Sequence, residues 1–228
     1  MLTGVIFDVD GTLVDSVDLH ATAWRDAFKR FGRDVALEEV RRQIGKGADQ
    51  LLPVFFTKEE LAGFGDVLEE YRAELFKRAF LPRVRAFPKV RELFRKIAGE
   101  GQRIALASSA NKDEVAYYKN LARIDEFVTA ETSADDVKRS KPHPDIFAVA
   151  LSKMGVRKDD VLVVGDAPYD AEAAMKLGLK TIGLRCGGFP KQDLIRAGCF
   201  AIYRDPEELL HEYSAWSPSQ STLSSSLS

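Results

Sequence analysis

The sequence has little that would call for a disulfide framework, a membrane or a nucleic acid. Only two of its 228 residues are cysteines, Cys186 and Cys199, and neither stands in a C-x-x-C motif or beside a histidine cluster. Reduced thiols are therefore expected. No apolar run could span a bilayer and no signal-peptide pattern opens the chain. With a formal net charge of −2 and no basic stripe, we expect a cytoplasmic protein without nucleic-acid or membrane partners.

What remains is the composition of an ordinary globular protein, 45% hydrophobic and 30% charged, in a chain long enough to bury an apolar core. A buried strand is predicted at residues 5–7, and from residue 103 onward short apolar runs alternate with helical patterns. This alternation is typical of an α/β fold with a Rossmann-like, doubly wound parallel sheet. The predicted strands are 103–107, 127–129, 161–164, 180–184 and one near 200–203; the predicted helices between them are 112–122, 144–154 and 168–177.

Residues 16–87 contain helical patterns and no convincing strand. Apolar residues recur at three- and four-residue spacing after Ser16, and a long charged helix is predicted from Lys58 to about Phe80. We therefore predict a catalytic core over 1–15 and 88–213, interrupted by a helical cap over 16–87. The serine-rich segment 214–228 is aperiodic and is predicted to be a disordered tail.

The first strand ends abruptly in Asp8-Val9-Asp10-Gly11. Side chains alternate along extended backbone, so Asp8 and Asp10 are expected on the same side. Their repulsion would raise at least one pKa unless a cation is present, which indicates a metal site or acid–base chemistry. A solvated turn capped by aspartate is the other interpretation of these four residues.

Polar residues also follow the later strands, where ligands bind in open α/β sheets. The strand 103–107 is followed by Ser108, Ser109 and Asn111, which could bind phosphate oxygens or cap the next helix. After strand 161–164 come Asp166 and Asp170, and acids also cap helices.

Four aspartates at neighbouring strand ends would place several negative charges in one cleft, so something positive is required there. Mg²⁺ fits best because the ligands are hard oxygens and no His or Cys set competes. Lys141 lies in a basic cluster, 138–144, that would alone indicate a solvated loop, but it could supply the remaining positive charge. Carboxylates, Mg²⁺, a lysine and a hydroxyl are what phosphoryl transfer needs.

Taken in order, these motifs resemble those of the haloacid dehalogenase-like superfamily. The resemblance covers residue 3 to about 203 and implies a Rossmann-like core with a helical cap between the first and second motifs. The motifs are Asp8-Val9-Asp10-Gly11-Thr12, the apolar run ending in Ser108, Lys141-Pro142, and Gly165-Asp166 with Asp170.

The resemblance also implies a role for each polar residue. Asp8 would be the nucleophile that forms an aspartyl-phosphate, and Asp10 the general acid to the leaving group and then the base to water. Ser108 would bind phosphoryl oxygens, and Lys141 would stabilise charge. Because Asp10 must be protonated in the first step, crowding among the acids is expected to raise its pKa.

The same resemblance implies a Mg²⁺ site. Asp8, the backbone carbonyl of Asp10 and Asp166 would hold the ion. Asp170 would act as a direct ligand or from the outer coordination sphere.

Asp10 disfavours a dehalogenase, because the dehalogenases of the superfamily lack an acid at that position, whereas the phosphatases and phosphomutases carry one. The segment from His20 to Trp24 is similar to that of β-phosphoglucomutases, in which such a histidine helps to position the acid–base aspartate. Phosphoglycolate and sugar-phosphate phosphatases share much of it, and no paired basic site for a second phosphate is evident. We therefore predict a Mg²⁺-dependent phosphatase for a small phosphorylated metabolite of the phosphoglycolate or sugar-phosphate type. The alternatives are a phosphomutase, a dehalogenase and a non-catalytic binding protein.

Candidate substrate-binding residues are Ser109, Asn111, His20 and Lys46. Lys46 stands between two glycines and could reach an anionic substrate, although a lysine so placed is more often solvated, and solvation is the favoured expectation. The sequence gives no indication of an oligomeric state.

Overall fold

The computed structural model describes residues 1–217, and its centre is a parallel β-sheet. In chain order the strands are β1 (Gly4–Phe7), β2 (Val14–Asp15), β3 (Arg85–Ala86), β4 (Arg103–Ala107), β5 (Val128–Thr132), β6 (Val161–Gly165), β7 (Lys180–Leu184) and β8 (Cys199–Tyr203). Six of the described strands form the sheet in the order β5-β4-β1-β6-β7-β8, with every neighbouring pair parallel. The predicted doubly wound α/β fold is confirmed.

Helices connect these strands, and those outside the segment between β2 and β3 pack on both sides of the sheet. Those in the first half are α1 (Val17–Arg30), α2 (Leu37–Arg41), α3 (Ala48–Leu51), α4 (Lys58–Leu75) and α5 (Val90–Gly99). Those in the second half are α6 (Lys112–Ala122), α7 (Asp145–Met154), α8 (Pro168–Met175), α9 (Lys191–Ala197), α10 (Pro206–His211) and α11 (Tyr213–Trp216).

The central strand β1 is buried on both faces, which explains its continuous apolar sequence. Val5 and Phe7 face one core, where the Phe7 ring lies 4.8 Å from that of Phe94 on α5. Ile6 faces the opposite core, together with Phe147 of α7. The alternation of side chains along the strand thus supplies one residue after another to two separate cores.

The register of the sheet brings three strand ends together. Phe7, the last residue of β1, pairs with Leu106 of β4 on one side and with Val164 of β6 on the other. Because parallel strands end at the same edge, the polar residues that follow β1, β4 and β6 lie side by side. The sheet therefore places the predicted site residues at one edge.

The helices between β2 and β3 form an apolar cluster of their own, with Phe28 and Leu68 fully buried within it. The two connections to this helical part pair as a short antiparallel ribbon, Val14 with Ala86 and Asp15 with Arg85. Sequence patterns did not predict the ribbon, because two residues are too few to show alternation. After α4 the helix widens into a π-helical turn at Phe76–Phe80.

The C-terminal part differs most from expectation. Helices α9, α10 and α11 were not predicted, and residues 214–216 of α11 lie within the segment 214–228 that was predicted to be a disordered tail. Trp216 is buried and its indole N–H donates to the carbonyl oxygen of Leu209 at 2.8 Å. The prediction is therefore wrong for residues 214–216, because a single large apolar side chain holds this turn against the core. Residues 218–228 lie outside the described residues. No helix among residues 1–217 is long and apolar enough to cross a membrane.

Replacing Trp216 should destabilise the fold although it lies almost at the end of the described chain. We expect Trp216→Ala to lower the free energy of unfolding by about 3–5 kcal/mol through lost packing and a cavity. Urea denaturation measures the change. Ala215→Ser, at the exposed neighbouring position, should stay within about 0.5 kcal/mol of wild type; equal stability of all three proteins would contradict the assignment.

Candidate active site

Asp8 follows β1 directly and is paired with a fully buried lysine. The distance between Asp8 Oδ1 and Lys141 Nζ is 2.5 Å. The same ammonium lies 2.8 Å from Asp170 Oδ1 and donates to the carbonyl oxygen of Ala107 at 2.9 Å. Burial raises the pKa of Asp8 to about 7 despite the opposing charge of Lys141. Burial by itself would lower the pKa of Lys141, but Asp170 and Asp8 outweigh it and raise that pKa.

A cluster of acids surrounds this pair. Carboxylate oxygens of Asp8, Asp166 and Asp170 all lie within 4.8 Å of one another, and the three residues are buried. The Thr12 hydroxyl is 2.9 Å from Asp8 Oδ2 and 3.1 Å from Asp166 Oδ1. Burial and the neighbouring Asp8 and Asp170 raise the pKa of Asp166 well above its ordinary value. One ammonium does not balance three carboxylates, so the donor set fits a divalent cation that prefers oxygen.

Two glycines leave room for the acid cluster. A Cβ atom at Gly187 would lie 1.6 Å from Asp166 Oδ2, and one at Gly11 would lie 2.4 Å from the same oxygen. Gly11 also has a φ of +80°, which L-residues rarely adopt. The backbone thus approaches Asp166 closely on two sides, at positions where a side chain would occupy the space around the carboxylate.

Asp10 has a different environment from Asp8. Its Oδ1 accepts from the Ser16 hydroxyl at 2.6 Å and lies 2.9 Å from His20 Nε2, while Oδ2 lies 3.4 Å from the Ser108 hydroxyl. Burial raises the pKa of Asp10, but His20, Ser16 and Arg72 outweigh burial and hold the pKa below its ordinary value. The expected increase is therefore wrong in direction, because the side chain contacts donors rather than the other acids.

The tautomer of His20 follows from its neighbours. Nη2 of Arg72 contacts His20 Nδ1, and a guanidinium can only donate. Nδ1 therefore accepts from Arg72, and the N–H on Nε2 faces Asp10. The imidazole also stacks on Phe76 with the ring centres 3.9 Å apart. Arg72 was missed in the sequence because nothing local distinguishes it from the other basic residues of α4 and the following turn.

Lys46 is not the solvated tip that was favoured. It is half-buried, its ammonium donates to Gln43 Oε1 at 2.6 Å, and Nζ lies 4.6 Å from the centre of the Tyr169 ring. Burial lowers its pKa. The ring of Tyr169, from the distant helix α8, covers a lysine that the sequence alone places in a glycine-rich loop.

Of the three polar residues predicted after β4, the two serines lie at the site and Asn111 does not. The Ser108 hydroxyl accepts from the backbone N–H of Ala110 at 3.0 Å, and the Ser109 hydroxyl donates to the carbonyl oxygen of Gly45 at 3.2 Å. Asn111 is exposed, and its side chain accepts from the backbone N–H of Glu114 at 2.9 Å. Asn111 therefore caps α6, and the structure does not bring it into the site.

A small open cleft joins the sheet edge to the helices of 16–87. Five of the predicted site residues line this cleft: Asp8, Asp10, His20, Lys46 and Ser109. The residues that line it are Asp8, Asp10, His20, Trp24, Ile44, Gly45, Lys46, Arg72, Ser109, Ala110 and Glu114. Carboxylates line its floor and two cations approach from the helical side.

The sequence profile of the haloacid dehalogenase-like hydrolases matches residues 5–184. The chain belongs to this family. It is 28% identical over 214 residues to the phosphorylated carbohydrates phosphatase of Thermotoga maritima, covering 92% of this chain and 97% of the relative. It is 31% identical over 188 residues to the phosphoglycolate phosphatase of Pseudomonas savastanoi pv. phaseolicola, and the match covers 80% of this chain and 69% of that relative.

Solved structures agree with these relatives. A hydrolase from Pseudomonas syringae superposes with a TM-score of 0.86 at 31% identity, covering 93% of this chain and 98% of the other. The family predicted from the ordered motifs is confirmed. The prediction that the protein is a hydrolase of the phosphatase type is confirmed as well.

Removing Lys141 should destabilise the protein in a pH-dependent manner. We expect Lys141→Met to lower the free energy of unfolding by about 3–5 kcal/mol at pH 8, because Asp8 and its neighbours lose their buried partner. A carboxyl whose pKa is raised in the fold stabilises below its unfolded pKa and loses that contribution as the pH rises through its folded pKa. The loss should therefore be smaller at pH 5 than at pH 8. Urea titrations at both pH values measure it, with exposed Lys138→Met as the control; a pH-independent loss would contradict the interpretation.

Proposed function

We propose that this hydrolase removes the phosphoryl group from a small phosphorylated metabolite through a phosphate ester on Asp8. The observation that carries the proposal is that two carboxylates on one cleft have different environments. Asp8 lies against the buried ammonium of Lys141, whereas Asp10 lies among hydrogen-bond donors. Such a pair suits a nucleophile and a proton carrier.

In the first step, an Asp8 carboxylate oxygen attacks phosphorus and the bond from phosphorus to the leaving oxygen breaks. Lys141 offsets the charge that gathers on the carboxylate and the phosphoryl oxygens. The Ser108 hydroxyl contacts Asp10 only at 3.4 Å, so its proton is available to a phosphoryl oxygen. Asp10 gives its proton to the leaving oxygen.

The hydrogen bonds of Asp10 select which of its oxygens carries that proton. Oδ1 already accepts from Ser16 and from the N–H of His20, so the transferable proton belongs on Oδ2. The negative charge of a bound phosphate favours the protonated form, opposing the low pKa of the free site. In the second step Asp10 removes a proton from water, the water oxygen bonds to phosphorus, and the bond to Asp8 breaks to release phosphate.

The metal we propose is Mg²⁺, held by Asp8 and Asp166 and by the backbone carbonyl of Asp10. When bound, it would shield the charge between the nucleophile and the phosphate. Asp170 is engaged by Lys141 and accepts from the backbone N–H of Ala167 at 3.0 Å, so we place it in the outer coordination sphere.

We propose further that residues 1–15 and 88–213 act as the catalytic core and 16–87 as a cap that contacts the leaving group. The cytoplasm is the compartment proposed, in agreement with the free thiols of Cys186 and Cys199.

A phosphomutase is the second candidate, because Lys46 and Arg72 both line the cleft and could hold a second phosphate. Glucose 6-phosphate formed from β-glucose 1-phosphate and a bisphosphate activator faster than phosphate release would identify that activity.

Loss of the nucleophile should abolish phosphate release. We expect Asp8→Asn to lower kcat for 4-nitrophenyl phosphate by roughly 10³-fold or more, since the amide is a poor nucleophile. Nitrophenol absorbance and a phosphate assay measure it. Asp15→Asn, at an exposed position seven residues on, should retain wild-type rates. Equal inactivity of wild type and Asp8→Asn on a panel of phosphorylated metabolites would refute the proposed function.

Divalent cations should stabilise the folded chain through the acid cluster. Mg²⁺ at about 100 times its dissociation constant should add roughly 2.7 kcal/mol to the free energy of unfolding. We expect a rise in Tm for wild type and for Asp159→Asn, whose side chain is 68% exposed at the opposite end of β6. Asp166→Asn should lose most of that rise. Thermal melts across a Mg²⁺ titration test this, and an undiminished rise in Asp166→Asn would exclude Asp166 as a ligand.

A further inference from the structure

Arg72 lies in the last turn of α4 and lines the same cleft as Asp8 and Asp10. Its guanidinium carbon is 4.8 Å from the centre of the Trp24 ring and 5.1 Å from that of Phe76. Stacking on two aromatic faces holds a guanidinium in a defined orientation while leaving its N–H groups to donate elsewhere.

No carboxylate among residues 1–217 forms an ion pair with this guanidinium. Its one hydrogen-bonded contact in that part of the chain is with the ring of His20, and its Nε is buried without a hydrogen-bond partner. Glu69, one turn earlier on α4, has its pKa raised by burial and by Asp49 and Asp66, with Arg72 opposing. A half-buried cation that no carboxylate contacts directly is costly, and this one lines the cleft.

The position of Arg72 relates to the proposed chemistry through a chain of contacts. Asp10 protonates the leaving oxygen, His20 contacts Asp10, and Arg72 contacts His20 on the side away from Asp10. Arg72 therefore lies beyond Asp10 and His20, on the helical side of the cleft. Lys46 lines the same cleft and is also without an ion pair in the described residues.

We propose that Arg72 determines specificity by binding a second anionic group on the leaving-group side of the substrate. The inference rests on the proposed function and adds a substrate class to it: phosphate esters that carry a further negative group. A guanidinium matches the planar, paired oxygens of a carboxylate or a phosphate. Either chemistry satisfies Arg72, and the choice of substrates separates them.

Three substrates test the proposal. Ethyl phosphate has a methyl group where 2-phosphoglycolate has a carboxylate. Glucose 1,6-bisphosphate carries a second phosphate. We expect wild-type kcat/KM to favour one or both anionic substrates over ethyl phosphate. Arg72→Gln should reduce kcat/KM for the favoured anionic substrate about 10- to 100-fold more than for ethyl phosphate, and Arg72→Lys should retain part of the preference.

The matched control is Arg78→Gln, which removes the same charge from an exposed position six residues on and should leave all three rates at wild-type values. Thermal melts establish that each variant is folded. If Arg72→Gln and Arg72→Lys reduce the three substrates by the same factor, Arg72 acts only through His20 and the proposal is wrong. Absence of any wild-type preference for an anionic substrate would also overturn it.

A binding measurement separates this inference from the proposed reaction. Calorimetry with Asp8→Asn protein compares 2-phosphoglycolate, glucose 1,6-bisphosphate and ethyl phosphate without turnover. Tighter binding of an anionic ligand that is lost in Asp8→Asn/Arg72→Gln supports the role of Arg72, even if the hydrolysis itself fails. Equal affinities in both proteins contradict it, whatever the turnover results show.

Discussion

The buried ammonium of Lys141 is the contact on which the sheet edge depends. It joins Asp8 after β1, the last carbonyl of β4 at Ala107, and Asp170 on α8. Desolvating these charges costs several kcal/mol per ion, which only close mutual contacts offset. Three elements far apart in sequence are therefore held in one arrangement, and the space that remains around Asp8 and Asp166 has excess negative charge. That excess accounts for the fit of the acid cluster to a divalent cation.

Two aspartates separated by one residue acquire opposite properties at this edge. Burial raises the pKa of Asp8, whereas His20, Ser16 and Arg72 overcome burial at Asp10 and lower its pKa. The backbone turns at Gly11, and the side chain of Asp10 reaches Ser16 and His20 instead of the acid cluster, while Arg72 of α4 acts on it through its charge. The helical segment thus contributes more than a cover over the cleft, because it supplies hydrogen bonds to Asp10.

The predictions from sequence were strongest where chemistry follows a buried strand. Asp8, Ser108 and Asp166 were identifiable because each stands directly after an apolar run, and parallel strands end together. Arg72 was not identifiable, because its contact with His20 spans 52 residues. The solvated interpretation of Lys46 failed for the same reason. Contacts between distant elements leave no periodicity in a local window, so propensity and spacing could not indicate them.

The sequence by itself determined the family and the type of reaction through the ordered motifs, and the parallel sheet through the alternation of strand and helix patterns. These features depend on short segments whose pattern is set by burial on a strand or helix. Only the tertiary structure decided the direction of the pKa of Asp10, the tautomer of His20 and the position of Arg72. Each depends on which groups meet across the cleft, since electrostatic and hydrogen-bond energies follow distance in space rather than separation along the chain.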